Sequence, residues 1–254
     1  QKKRYRLIDG RSLLEIAWKK TVSVPVGSII PKKMYQLDVE EFLIANDFSE
    51  DAIAHLRQSF EQKQPLAPEV HDKVLSLFKR YLLVGGMPDA VNEYLNSHNI
   101  VKVREVQEAI RELYGVDASR YEEDTAKKLY IRRIYDMIPS QMENKKKRIV
   151  AKDILDRKGD RFSNYVEEFE YLINSGITIP SHAISNPKYP LAESQQKNLL
   201  KLYMNDVGML TSQLYHYNIQ PILNDIASIN LGSVYESAVA QELKAHYEKL
   251  FYYD

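Results

Sequence analysis

The chain has 254 residues, 44% of them hydrophobic, with 35 basic and 35 acidic side chains. That is enough for one large domain or two to three small ones, and a zero formal charge excludes a broadly basic nucleic-acid binder, leaving room only for a local patch. There is no cysteine, which excludes disulfides and thiolate metal sites. No apolar run approaches the roughly 20 residues that span a bilayer, and the basic start at residues 1–6 has no apolar stretch behind it as a signal peptide requires.

Residues 5–36 carry short β-leaning pieces, TVSV at 21–24 and SII at 28–30, punctuated by Pro25, Gly27 and Pro31. Asp38 followed by Glu41 is a capping-box pattern and predicts a helix with Val39, Phe42 and Leu43 on its apolar face. Ser49 caps a second helix, and Pro68 opens a third in which Val70, Val74, Leu77 and Tyr81 recur at helical spacing. Gly85 and Gly86 end it, and Pro88 restarts the helix that holds Val91, Tyr94 and Leu95. A further helix is predicted over 101–114. This half reads as a small helical bundle.

A helix over 118–139 follows, with Leu129, Tyr130, Ile134 and Met137 inward and Pro139 as its stop. Then come the basic run KKKR at 145–148, a short helix near 152–156, and a helix from a Ser163 cap to Gly176. A strand at 177–179 and a returning strand at 199–204 complete the order helix, helix, helix, two-stranded ribbon, which is that of a winged helix-turn-helix. Asp206 caps a short helix over 207–215. A long helix over 231–249, with Val234, Ala238, Val239, Leu243 and Tyr247 on one face, leads into a strand at 250–253. The fold class expected is mostly α with a small β component, α+β.

Several chemistries are weighed on these elements. A phosphate-binding loop needs a glycine followed by lysine, so that backbone amides wrap the phosphates and the ammonium reaches the terminal ones. None of the nine glycines is followed by Lys, so these residues do not hydrolyse ATP by that route. The corner at Gly85, Gly86 and Pro88 is either a tight helix-to-helix turn or a surface that presses backbone and proline ring against an adenine. The third helix of the winged unit carries Glu167, Glu168 and Glu170 and no Lys or Arg from 164 to 176. Carboxylates repel a phosphate backbone, so this helix does not read DNA sequence. Positive charge sits ahead of it, on Lys145, Lys146, Lys147, Arg148, Lys152, Arg157, Lys158 and Arg161. That cluster is either a phosphate-backbone contact, giving weak unselective DNA binding, or a solvated turn. A protein partner or self-association through the winged unit is the preferred contact, and no membrane is expected. Glu236 alone makes a poor Mg²⁺ site, and a helix glutamate near the positive end of the helix dipole is the simpler reading. The six histidines show no ligand-like pairing, so no metal site is expected, and no glycine context supports a serine nucleophile.

The ordered blocks VPVG at 24–27, MYQLDVEEFLIA at 34–45, YLLVGGMPDAV at 81–91, IRRI at 131–134, IPSQ at 138–141, KLYMNDVGML at 201–210 and GSVYESAVAQEL at 232–243 resemble the large prokaryotic family of AAA-type ATPases with a C-terminal domain of unknown function. The likeness covers nearly the whole chain. It implies the C-terminal edge of an ATPase core over 1–36, a helical lid over 37–117, a winged helix over 118–216 and the start of a degenerate restriction-endonuclease-like domain over 217–254. It implies ATP and Mg²⁺ as cofactors of the parent protein, which would use ATP binding and hydrolysis as a conformational switch in the cytoplasm. The phosphate loop and the acid that holds Mg²⁺ lie upstream in relatives, so this chain is expected to be inactive alone. In the same terms Ser12 matches the usual sensor-strand serine. Gly85, Gly86 and Pro88 match the lid turn near the nucleotide base, and Glu236 matches the glutamate that opens the nuclease-like domain. The alternative is a winged-helix DNA-binding regulator without enzymatic activity. An active nuclease would need downstream acids and a lysine that the sequence does not contain.

Overall fold

A computed structural model describes residues 32–253 apart from 122–123, 145–146, 156–158, 160, 225–230 and 248, and describes 117–121 and 197–198 by their backbone alone. The strands expected before residue 31, Ser12, Lys145, Lys146, Arg157 and Lys158 lie outside the described residues.

The protein is mostly helical with a small sheet, as the α+β expectation has it. Helix α1 (Val39–Ala45) starts at the Asp38–Glu41 capping box, in which each side chain accepts the other residue's backbone N–H. Ser49 caps α2 (Glu50–Gln62), and Pro68 is the first residue of α3 (Pro68–Val84). Gly85 at φ +73° ends α3, and Pro88 opens α4 (Pro88–Ser97). Helix α5 (Ile100–Tyr121) runs past the predicted end at 114. Gly115 does not break it, because a helix interior tolerates glycine at about 1 kcal/mol.

Helix α6 (Thr125–Glu143) corrects the stop placed at Pro139, which is buried within it. A proline there removes one backbone donor, and packing offsets that loss. Its inner face is Ile131, Ile134, Tyr135 and Ile138, whereas Leu129 is exposed, so the predicted stripe is rotated. After α7 (Lys152–Leu155) a 3-10 turn over Phe162–Tyr165 leads into α8 (Val166–Asn174). Ser163 lies inside that turn and does not cap the helix. Strand β1 (Thr178–Ile184) and strand β2 (Gln195–Met204) are both longer than predicted and pair antiparallel, with Ile179 opposite Tyr203. Helices α9 (Val207–Tyr215), α10 (Gln220–Leu223) and α11 (Gly232–His246) follow, and β3 (Leu250–Tyr253) joins parallel to β1, giving the order β2-β1-β3.

Among the described residues, one apolar core runs from Phe42 through Tyr81, Ile134, Phe169, Leu202 and Leu210 to Ala240, and a smaller cluster of Leu43, Phe48, Ile53 and Leu77 binds α1 and α2 to α3. Helix α11 departs from its predicted face. Ser233, Ser237 and Gln241 are buried beside Val234 and Ala238, while Val239, Leu243 and Tyr247 stand exposed. Small side chains let α11 approach α9 and the sheet closely, which turns the larger ones outward. No helix among the described residues is long and apolar enough to cross a membrane.

Candidate functional site

The Gly85–Gly86 corner lies at the meeting point of α3, α9, α11 and the chain entering α1. The last carbonyls of α3 have no partner within the helix, and side chains from elsewhere supply them. Thr211 Oγ1 donates to Leu82 O at 2.8 Å, Gln107 Nε2 donates to Leu83 O at 3.0 Å and Val84 O at 2.9 Å, and Arg104 donates to Leu83 O at 3.0 Å. The Arg104 guanidinium is buried, and also donates to Gln107 Oε1, Gly208 O and His216 O. Burial lowers its pKa to about 10, while the Asp206 carboxylate acts to raise it. It stays charged at neutral pH and meets the negative end of the α3 dipole.

Asp206 is fully buried and caps α9, accepting the Met209 N–H at 3.1 Å. Its other oxygen accepts the Gly86 N–H at 2.6 Å. Burial pushes its pKa up to about 6, against the amides of Gly86, Met209 and Gly208 and the Gln241 side chain, which pull it down. The Gly86 carbonyl accepts the Leu37 N–H at 2.8 Å. Gln241 on α11 accepts the Val207 N–H at 2.8 Å and donates to the Tyr81 hydroxyl at 2.8 Å, which donates to Leu37 O at 2.9 Å. Glu242 accepts the Val39 N–H at 2.9 Å.

These contacts explain the glycines. A Cβ on Gly85 would stand 2.0 Å from Asp206 Oδ1, one on Gly86 2.0 Å from Leu37 O, and one on Gly208 2.5 Å from Val84 O. The inner side of the corner is filled by protein, and the Gly86 amide is committed to Asp206, so it is not a ready phosphate cradle. Pro88 and Asp89 face outward and are exposed.

The other sequence candidates lie apart from this junction. Glu236 on α11 accepts from Lys147 Nζ at 2.8 Å, Lys201 Nζ at 2.8 Å and the Tyr203 hydroxyl at 2.7 Å. Burial pushes its carboxyl up, but those three donors outweigh it and hold the pKa at about 2. Lys201 also lies over the Tyr252 ring at 4.6 Å, and Arg148 lies over the same ring at 5.8 Å. Of the predicted basic cluster, Lys147 is therefore engaged by Glu236, whereas Lys152 and Arg161 are exposed. On α8, Glu167 pairs with Lys127 and Glu168 is buried.

The residues that sequence reasoning missed are Arg104, Gln107, Thr211 and Gln241. Each is a polar side chain on a helix, and only its contact with α3 or α9, far away in the chain, marks it. Asp206 is identified as a helix cap from its sequence, but nothing local signals its bond to Gly86, 120 residues away.

A family model for a domain of unknown function, DUF8612, matches residues 75–217. No curated protein and no solved structure matches the chain.

Proposed function

The chain belongs to the DUF8612 family, and we propose that it is the C-terminal, motion-transmitting part of a prokaryotic AAA-type ATPase whose ATP- and Mg²⁺-binding residues lie in a preceding core. The observation that carries this reading is convergence. Four of the blocks that give the resemblance, at 34–45, 81–91, 201–210 and 232–243, are far apart in sequence. They meet through Leu37, Tyr81, Gly86, Asp206, Val207, Gln241 and Glu242 in one buried polar junction.

Such a junction suits a switch. It is close-packed and hydrogen-bonded, so it holds together or separates and does not deform gradually. Nucleotide-dependent motion reaching residues 34–39 or the outward Pro88 would be carried through Gly86 and Asp206 to α9 and through Gln241 to α11. The winged-helix reading is supported by the succession α6, α7, α8 and the antiparallel pair β1 and β2. Its acidic α8, with Glu168 buried and Glu167 paired to Lys127, favours contact with protein over DNA. The exposed Val239 and Leu243 on α11, with the exposed Tyr247 just past its end, fit a face that other protein covers, as the nuclease-like part or a partner would.

The test is hydrogen exchange on the intact gene product that contains this chain, with ATP, with ADP and without nucleotide. The expected result is a nucleotide-dependent change in protection of the Gly86 and Val207 amides. Identical protection in all three states, or a coding sequence without an upstream Gly-Lys-Ser or Gly-Lys-Thr loop, overturns the reading. Sequence-selective duplex binding with a steep salt dependence would favour the non-enzymatic regulator instead.

A further inference from the structure

We propose that Asp38, Glu242 and His246 form a binding site for a divalent transition-metal cation of the zinc or manganese class. The three side chains come from the start of α1 and the end of α11, and one ligand atom of each lies within 4.8 Å of the others. Two ligands at about 2.1 Å from one ion stand roughly 3–4 Å apart. A side-chain rotation closes the difference, and His246 is exposed and able to make it.

The geometry is built in two ways. Glu242 and His246 are one turn apart on α11, the four-residue spacing that puts two ligands on one helix face. The carboxylates are also oriented by groups outside the trio. Glu242 Oε1 accepts the Val39 N–H and lies 3.3 Å from the Tyr81 hydroxyl, and Asp38 Oδ1 accepts the Glu41 N–H. Fixing one oxygen of each leaves the second oxygen for a ligand bond, which is how outer hydrogen bonds position metal ligands. A cation between the two carboxylates relieves their repulsion and balances both charges.

The donor set narrows the ion. Two carboxylate oxygens and one imidazole nitrogen suit zinc or manganese. They are too few oxygens for calcium, and without sulfur they do not select copper(I). Bound there, the ion ties the segment entering the junction directly to its last helix.

The experiment is calorimetric titration of tag-free, EDTA-treated protein with zinc chloride and with manganese chloride, alongside Tm measurements. The expected result is saturable one-to-one binding of at least one of the two and a higher Tm with that metal. Asp38→Asn keeps the helix cap and removes one charged ligand. His246→Ala removes an exposed ring. Each should leave the metal-free Tm near wild type and weaken the affinity about 10-fold or more, whereas His55→Ala should bind as wild type does. The proposal is overturned if neither cation binds stoichiometrically, or if Asp38→Asn and His246→Ala both bind as tightly as wild type.

Discussion

Replacing Gly85 with alanine tests the junction most directly. Its φ of +73° with ψ of −166° is a backbone conformation that glycine alone adopts readily, costing an L residue about 1–3 kcal/mol. The added Cβ also falls 2.0 Å from Asp206 Oδ1, and this carboxylate cannot swing away, because it caps α9 and accepts the Gly86 amide. Overpacking of that kind costs about 1–3 kcal/mol. Together the two predict a loss of about 2–6 kcal/mol, a large part of the roughly 5–15 kcal/mol that holds a typical protein folded. Urea unfolding followed by circular dichroism reads it as a midpoint about 1–2 M lower. Gly115→Ala is the matched control. No atom lies within 4 Å of the position its Cβ would take, and in the interior of α5 alanine should raise stability by about 0.5–1 kcal/mol. If Gly85→Ala unfolds within about 0.5 kcal/mol of wild type, the corner is not packed against Asp206 and the reasoning fails.

Arg104→Met should cost about 3–5 kcal/mol in the same assay, because it strips buried carbonyls of Leu83 and Gly208 of a charged donor; a neutral result would mean that water replaces the guanidinium. Asp206 makes stability depend on pH. Its pKa rises from 3.8 to about 6 in the folded protein, so the native state alone keeps this proton between those values, and stability falls as pH rises through that window, by on the order of 3 kcal/mol in full. Unfolding midpoints should therefore increase from pH 7 to pH 5, and Asp206→Asn should flatten that rise. Glu236 acts oppositely, since its pKa falls from 4.5 to about 2. Its contribution is present above 4.5 and lost as acid titrates it below, so Glu236→Gln should blunt the acid limb of the same curve. At pH 7 that variant should lose about 1–2 kcal/mol, because Lys147 and Lys201 no longer meet a carboxylate.

Much of the local structure could be read from the residues. Asp38 with Glu41, Ser49, Pro68, the double glycine, Pro88 and Asp206 act within one helical turn, so their neighbours in sequence suffice to place them. Pro139 misled because tertiary packing on Ile134 and Ile138 outweighs one lost backbone bond. On α11 the apolar periodicity named Val239, Leu243 and Tyr247 as inward, but close approach to α9 and the sheet selects Ser233, Ser237 and Gln241. A hydrophobicity pattern does not register how near two backbones come. The junction was illegible for a related reason: apart from the Asp206 cap and the Arg104–Gln107 pair, the bonds that define it join residues from different elements, and no local spacing encodes such pairs.

That separation has a consequence for synthesis on the ribosome. The Gly86 amide emerges 120 residues before the carboxylate that accepts it, and the Tyr81 hydroxyl emerges 160 residues before Gln241. At about 5–20 residues per second, the first of these waits lasts roughly 6–24 s. During that interval Arg104 and Gln107 can already meet the carbonyls of Leu83 and Val84, but the Leu82 carbonyl, which accepts from Thr211, and the Gly86 amide stay open to water. The helical half is thus finished only by the arrival of the second half, and a nascent chain stalled between the two exposes the very groups that later lock it.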